Sequence, residues 1–188
     1  MPKLNVIICS TRPGRIGPAI ARWFHAYAKT HGKFDAELVD LADFKLPVYD
    51  EPKHPRLKDY QHDHTKKWSA SVASADAYAF VAPEYNYSPT PALVNALDFL
   101  FHEWAYKPAG IVSYGGISAG LRAGHAVKLQ LAGLSMMPIP AGVPIPMAGT
   151  LIDKDSGAFK TNDLIDASAK TMLDALVLWA DALKPMRG

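Results

Sequence analysis

The segment Cys9-Ser10-Thr11-Arg12-Pro13-Gly14-Arg15-Ile16-Gly17-Pro18 concentrates the residue types that grip an anion. It follows an apolar run, Leu4 to Ile8, and precedes an amphipathic run, Ala19 to Ala28. A strand, a short loop and a helix opening near Pro18 bring backbone N–H groups and the positive end of a helix to one point. Ser10 and Thr11 carry hydroxyls that donate to phosphate oxygens. Arg12 and Arg15 carry planar forks, and Gly14 and Gly17 permit close backbone approach. Two other nucleotide loops do not fit. The Gly-Lys-Ser/Thr ending of a triphosphate loop is missing, and Arg12 stands where a dinucleotide fingerprint needs its first glycine. What remains suits a single terminal phosphate. The alternative is an ordinary strand-to-helix turn with solvated arginines.

Two further segments suit a flat ring. Pro83-Glu84-Tyr85-Asn86-Tyr87-Ser88-Pro89-Thr90 combines stiffening prolines, tyrosines that can cover an aromatic ring, and Asn86 with backbone amides that can read a heterocycle's edge. Ser113-Tyr114-Gly115-Gly116-Ile117-Ser118 sets Tyr114 beside two glycines, so that a flat ligand can lie against bare backbone. A phosphate at one loop and a ring between two others describe a mononucleotide. For each tyrosine taken singly, the alternative is core packing beneath a helix that starts at Pro91.

The elements that must position these loops alternate strictly. Strand-like runs fall at Leu4 to Ser10, Phe34 to Asp40, Ala77 to Val81, Gly110 to Ser113 and Leu134 to Ile139. Helices are predicted at about Gly17 to Thr30, Asp63 to Ala75, Pro91 to Trp104, Ala119 to Leu131 and Thr161 to Leu183. Asp50 to Lys67 reads as an exposed loop entering a helix, and Pro138 to Pro146 as a proline-rich connection after the last strand. Five strands joined by helical crossovers imply a parallel sheet, and the continuously apolar runs Ala77 to Val81 and Ala109 to Val112 require helices on both faces. The expected fold is a three-layer α/β sandwich with a five-stranded parallel sheet. In such sheets ligands bind at the carboxyl ends of the strands, where the three loops fall.

Length and composition bound the rest. The 188 residues are expected to form one domain, and hydrophobic residues at 49% with charged residues at 20% are globular values. The apolar runs are too short or too interrupted to cross a bilayer, and Met1-Pro2-Lys3-Leu4 leads into a strand without a signal-like pattern. One cysteine, Cys9, excludes an internal disulfide and agrees with a reducing, cytoplasmic location. A net charge of +2 with scattered lysines and arginines leaves no footprint for nucleic acid. The expected partner is a small molecule.

The chain resembles the NAD(P)H-dependent FMN reductases of the flavodoxin-like fold, which include quinone and azo-dye reductases. The resemblance rests on Ser-Thr-Arg-Pro-Gly-Arg at 10 to 15, on Pro-Glu-Tyr-Asn-Tyr-Ser at 83 to 88 continuing into Pro91-Ala-Leu-Val-Asn-Ala-Leu-Asp98, and on Lys107-Pro108 with Val112-Ser-Tyr-Gly-Gly116. It implies that Ser10, Thr11, Arg12, Arg15, Ile16 and Gly17 hold the FMN phosphate. It implies likewise that Pro83, Glu84, Tyr85, Asn86 and Tyr87 border the isoalloxazine and ribityl, and that Ser113, Tyr114, Gly115 and Gly116 line the other edge of the ring. The chain departs from the family pattern at Cys9, where glycine is usual, and at Val94, where lysine is common. On this reading the flavin carries the hydride chemistry, so no protein general acid or nucleophile and no metal ligand is assigned. NADPH is expected ahead of NADH by resemblance, with Arg15, Lys107 and Arg122 as partners for its 2′-phosphate. The acceptor is a flavin, quinone or similar small molecule.

Competing motifs point elsewhere. Gly116-Ile117-Ser118-Ala119-Gly120 matches a nucleophile elbow, but a hydrolase of that type needs an acid and then a histidine downstream. The only later histidine is His125 on the same predicted helix, with no acid between. His62 and His64 near Asp59 and Asp63 suggest a metal, yet a loop so rich in charge is more often solvated. A non-enzymatic FMN electron carrier docks through an acidic face, which this composition lacks. A flavin-less interaction module is the remaining alternative. Finally, Leu93, Val94, Leu97, Phe99, Leu100, Phe101 and Trp104 surround more of the predicted 91–104 helix than a sheet can cover, so a homodimer or homotetramer built on that helix is expected.

Overall fold

The computed structural model describes residues 1–187. In chain order it holds β1 (Lys3–Ile8), α1 (Gly17–His31), β2 (Asp35–Asp40), α2 (Asp63–Ala73), β3 (Ala77–Pro83), α3 (Pro91–Asp98), β4 (Pro108–Tyr114), α4 (Leu121–Gly133), β5 (Met137–Ile145) and α5 (Asp163–Leu183). The strands lie in the order β2-β1-β3-β4-β5 and every neighbouring pair is parallel. This is the flavodoxin-like three-layer sandwich. The strand order reverses between β1 and β3, so the loops after those two strands flank the crevice where such sheets take ligands.

The pleat divides the strand side chains between two cores. Leu4, Val6, Ile8, Ala79, Val81 and Val112 pack with Ile20 and Phe24 of α1 and Leu173 and Leu176 of α5. On the other face Ile7, Cys9, Tyr78, Phe80 and Ile111 meet Trp68 of α2, Leu93 and Leu97 of α3 and Val127 of α4. β3 and β4 are buried along their whole length, the consequence of helices on both faces. Gly110 marks a close approach, since a Cβ there would fall 2.7 Å from Met172 Sδ on α5.

Two expectations are corrected. The proline-rich stretch from Pro138 is not a connection but the body of β5. β5 is the edge strand, where prolines cost no ladder bond, and its register shifts between Ala109 and Ile111 of β4. The helix expected over Pro91 to Trp104 ends at Asp98, and the chain continues through turns that let Phe99, Leu100 and Trp104 all face inward. Trp104 packs against Trp68 and Tyr78 with ring centroids 5.8 Å and 5.1 Å away. A strap across 45–62 covers what remains. Tyr49 and His64 stand edge-on to Phe99 at 5.1 Å and 5.6 Å, and Arg56 lies 4.5 Å from the Phe101 ring. Asn95 of α3 pins that strap, accepting from the Tyr49 N–H at 2.9 Å and donating to the Pro47 carbonyl at 2.6 Å. Most of the apolar surplus that argued for a dimer on this helix is therefore covered within the chain, with Val94 and Phe101 half-buried.

Candidate functional site

β1 ends in a loop with unspent donors. Among the described residues, no group accepts from the backbone N–H of Thr11, Arg12, Gly14, Arg15 or Ile16. Helix α1 begins at Gly17 with Pro18 in its first turn, no side-chain cap and no acidic residue there, so its positive end is open. Ser10 is fully buried beneath the loop, and its hydroxyl lies 3.3 Å from the Tyr114 hydroxyl. Gly17 packs on this pair, and a Cβ added there would reach within 2.6 Å of the Tyr114 oxygen and closer still to Ser10 Oγ. Only glycine lets the loop close this far. Thr90 ties the loop to its neighbour, since its hydroxyl donates to the Cys9 carbonyl at 2.5 Å while capping α3 through the Leu93 N–H at 3.1 Å.

The two loop arginines differ. Arg12 is exposed, faces the Tyr85 ring at 5.9 Å and has no carboxylate partner among the described residues. Arg15 turns the other way, its two terminal nitrogens 2.7 Å and 2.6 Å from the Asp40 carboxylate at the end of β2, with a further bond to the Ser10 carbonyl. The paired guanidinium is held charged by that hydrogen bond to Asp40. Arg15 thus staples the loop to β2, and its fork is not presented to a ligand.

The loop after β3 is a tight turn. Tyr85 and Ser88 exchange backbone bonds of 3.0 Å, and the two residues between them, Asn86 and Tyr87, both take positive φ, 49° and 68°. That is the primed-turn geometry, adopted here by Asn and, at some strain, by an exposed tyrosine. Pro83 closes β3 opposite Tyr114, and the Glu84 N–H donates to the Tyr114 carbonyl at 3.1 Å. The third loop starts from Ser113, whose side chain lies on the α4 face beside Gly124, and Tyr114, which crosses to the α1 face and Ser10. Burial pushes the Tyr114 phenol well up, so it stays a neutral hydroxyl. Gly115 is held by the Ile145 carbonyl at 3.3 Å, whereas a Cβ on Gly116 would meet nothing within 4 Å. Gly116 is the bare backbone against which a ring can lie.

The remaining motifs resolve into structure. The Ser118 hydroxyl donates to Glu84 at 3.1 Å, so the elbow-like serine is engaged with a carboxylate and no histidine. His62 and His64 stack at 5.2 Å, with His64 bonded to Asp50 at 3.0 Å. Cys9 is buried, and desolvation drives its thiol pKa up, away from reactivity. Lys107 is corrected as a nucleotide contact. It precedes β4 at the amino end of the sheet, buried, donating to the Val72 and Ala73 carbonyls at 3.1 Å each and bonded to Tyr78 at 3.2 Å. Sequence reading did not assign Thr90, Asp40 or Asn95. Thr90 before Pro91 carries a helix-cap signature that points to it, whereas nothing local marks the pairing of Asp40 with Arg15, 25 residues apart.

A phosphate cradle beside a bare-backbone slot at the switch point is what a phosphorylated flat cofactor needs. A family model described as NADPH-dependent FMN reductase matches residues 2–150. The chain belongs to the NADPH-dependent FMN reductase family. Members are flavin-dependent oxidoreductases that use FMN and NAD(P)H, and this chain is an enzyme of that kind. Among its relatives, the NAD(P)H-dependent FMN reductase of Schizosaccharomyces pombe is 46% identical over 121 residues, a match that covers 63% of this chain and 60% of that protein. A fungal NAD(P)H-dependent FMN reductase from Nectria is 38% identical over 155 residues, covering 79% and 77% of the two chains. The quinone reductase of Pseudomonas putida is 29% identical over 182 residues, covering 93% and 92%. The flavoenzyme NAD(P)H:acceptor oxidoreductase FerB from Paracoccus denitrificans shares the fold, with a TM-score of 0.75 over 97% of this chain and 98% of that one at 21% identity.

Proposed function

We propose that the whole chain acts as one FMN-binding domain that passes electrons from NADPH, or NADH, to a small acceptor such as a quinone, an azo compound or free flavin. The observation that carries the reading is the group of unpartnered backbone N–H donors at the open end of α1, with Ser10, Thr11 and Arg12 around it. This donor set fits a dianionic terminal phosphate: hydroxyls, amides and one uncommitted guanidinium, with no carboxylate to repel it. Ile16 and Gly17 contribute backbone, Gly17 because no side chain fits, and Arg15 acts by holding the loop against Asp40.

FMN, when bound, accepts hydride from the nicotinamide and returns electrons to the acceptor. The residues of this chain bind and orient. Tyr85, Asn86 and Tyr87 form one wall of the slot, Tyr114, Gly115 and Gly116 the other, and Pro83 and Glu84 set the approach of the two. Ser113 supports the second wall from the α4 side. In the 83–88 turn the N–H groups of Glu84, Tyr85 and Ser88 are spent within the fold, which leaves those of Asn86 and Tyr87 to supply fixed dipoles for the negative charge of a reduced ring. No side chain is needed as acid or nucleophile. Of the three basic residues expected to meet a 2′-phosphate, Arg122 alone stands at the mouth, over Tyr87.

Among the described residues no helix is long and apolar enough to cross a membrane. A cytoplasmic location is part of the proposal, and the small-molecule acceptor is supported by the flavin and quinone reductase relatives. A homodimer or homotetramer remains the proposed assembly. The proposal is tested by incubating the purified protein with FMN, removing free flavin and recording the visible spectrum. Retained flavin absorbance that bleaches with NADPH and recovers with a quinone is the expected result, and a colourless protein overturns the reading.

A further inference from the structure

Helix α4 opens without a cap of its own. Its N-cap is Gly120, at φ 74°, and its first turn has no acidic residue. Gly120 cannot be exchanged for a capping side chain, because a Cβ there would stand 2.6 Å from the backbone N and O of Tyr114. The missing carboxylate comes from a different element. Glu84, in the loop after β3, accepts from the Arg122 N–H at 3.1 Å and from the Ser118 hydroxyl at 3.1 Å, and pairs with the Arg122 guanidinium at 2.5 Å. Its side chain is 8% exposed, so water competes little for these bonds. The same guanidinium lies 3.7 Å from the centre of the Tyr87 ring, the residue held at positive φ in the turn.

One carboxylate therefore joins three parts of the proposed slot. It belongs to the 83–88 loop, it anchors the start of α4 behind Gly115 and Gly116, and through Arg122 it fixes Tyr87. Resting on the flavin reading above, we propose that Glu84 is a positioning residue for flavin binding, holding the two walls of the slot at a set separation through Ser118 and Arg122. The cost of binding is lower when both walls are ordered beforehand, so loosening them weakens the complex without removing any group that touches the flavin.

Three variants test this: Glu84→Ala, Glu84→Gln and Arg122→Met. FMN affinity is read by quenching of flavin fluorescence, and wall order by amide hydrogen exchange at 85–88 and 115–121. Glu84→Ala is expected to weaken FMN binding at least about tenfold, the scale of losing charged hydrogen bonds, with faster exchange in both segments. Glu84→Gln keeps one oxygen for the Arg122 N–H and an amide N–H that can donate to the Ser118 oxygen, loses the charged pair with the Arg122 guanidinium, and is expected to recover part of the affinity. Arg122→Met frees Tyr87 alone and is expected to fall between them, which keeps the proposal testable if Glu84→Ala does not fold. Parent affinity in Glu84→Ala, or in Arg122→Met where Glu84→Ala is unfolded, overturns the role of Glu84 and leaves the flavin site standing. A parent protein that takes up no FMN overturns the site itself.

Discussion

The two ends of the sheet treat their polar groups in opposite ways. At the amino end Lys107 is surrounded by acceptors, and Glu103, also buried, takes hydroxyls from Tyr60 at 3.1 Å and Ser69 at 2.6 Å. Arg187 closes the edge on Asp76 at 2.9 Å, and Asp76 also accepts the Lys3 N–H at 2.8 Å. At the carboxyl end the backbone N–H groups of Thr11, Arg12, Gly14, Arg15 and Ile16 have no partner among the described residues, and the fork of Arg12 has no carboxylate, only a long 3.4 Å bond to the neighbouring Pro13 carbonyl and the Tyr85 ring. Buried polar groups cost free energy unless they are satisfied, so the closed network belongs to folding. Donors left open at a helix start beside a switch point are, on the proposed reading, there for a ligand. Basic residues of one kind thus carry different meanings: Lys107 and Arg15 are engaged within the fold, and Arg12 is the one proposed to bind.

The contrast breaks if the amino end also serves binding. Lys107→Ala strips a donor from the last carbonyls of α2 and is expected to cost about 2 to 4 kcal/mol of stability, leaving FMN affinity of the folded fraction at the parent value. Chemical denaturation and flavin titration on one preparation check both halves. A stable variant with weakened FMN binding would contradict the division.

A smaller effect sharpens it. Burial, aided by repulsion from Arg187, pushes the Lys107 amine down to about 8 from 10.5. Between those values the unfolded chain binds more protons than the folded one, so the contribution of this group to stability rises with pH from about 8 toward 10.5. Tyr78, its phenol held neutral by burial, opposes that trend above about pH 10. Melting of the parent and of Lys107→Met across pH 7.5 to 9.5 is expected to show the parent gaining on the variant by less than about 2 kcal/mol. Parallel curves would mean that the amine keeps its proton in the folded state.

The period of the apolar residues was enough for the strand-helix alternation, because β3 and β4 are continuously apolar and helices such as α1 and α5 carry clear stripes. The places of the three candidate loops, after β1, β3 and β4, were legible for the same reason, as each follows a readable strand. What escaped depended on distant contacts. Pro138 to Ile145 reads as a connection until the edge position of β5 makes its prolines harmless, and the helix after Pro91 reads too long until Trp68 and Tyr78 draw Trp104 inward. The arginines were legible as a pair but not as individuals. Asp40, at the end of a strand on the far side of β1, decides that Arg15 is a staple.

That distinction between Arg12 and the other basic residues is tested most directly by one titration. FMN is added to the parent and to Arg12→Ala, with the melting of both flavin-free proteins measured alongside. Loss of a charge-assisted contact to phosphate predicts affinity weaker by about 2 to 3 kcal/mol with melting unchanged. FMN bound as tightly by Arg12→Ala as by the parent would show that the open loop after β1 is not where the phosphate sits.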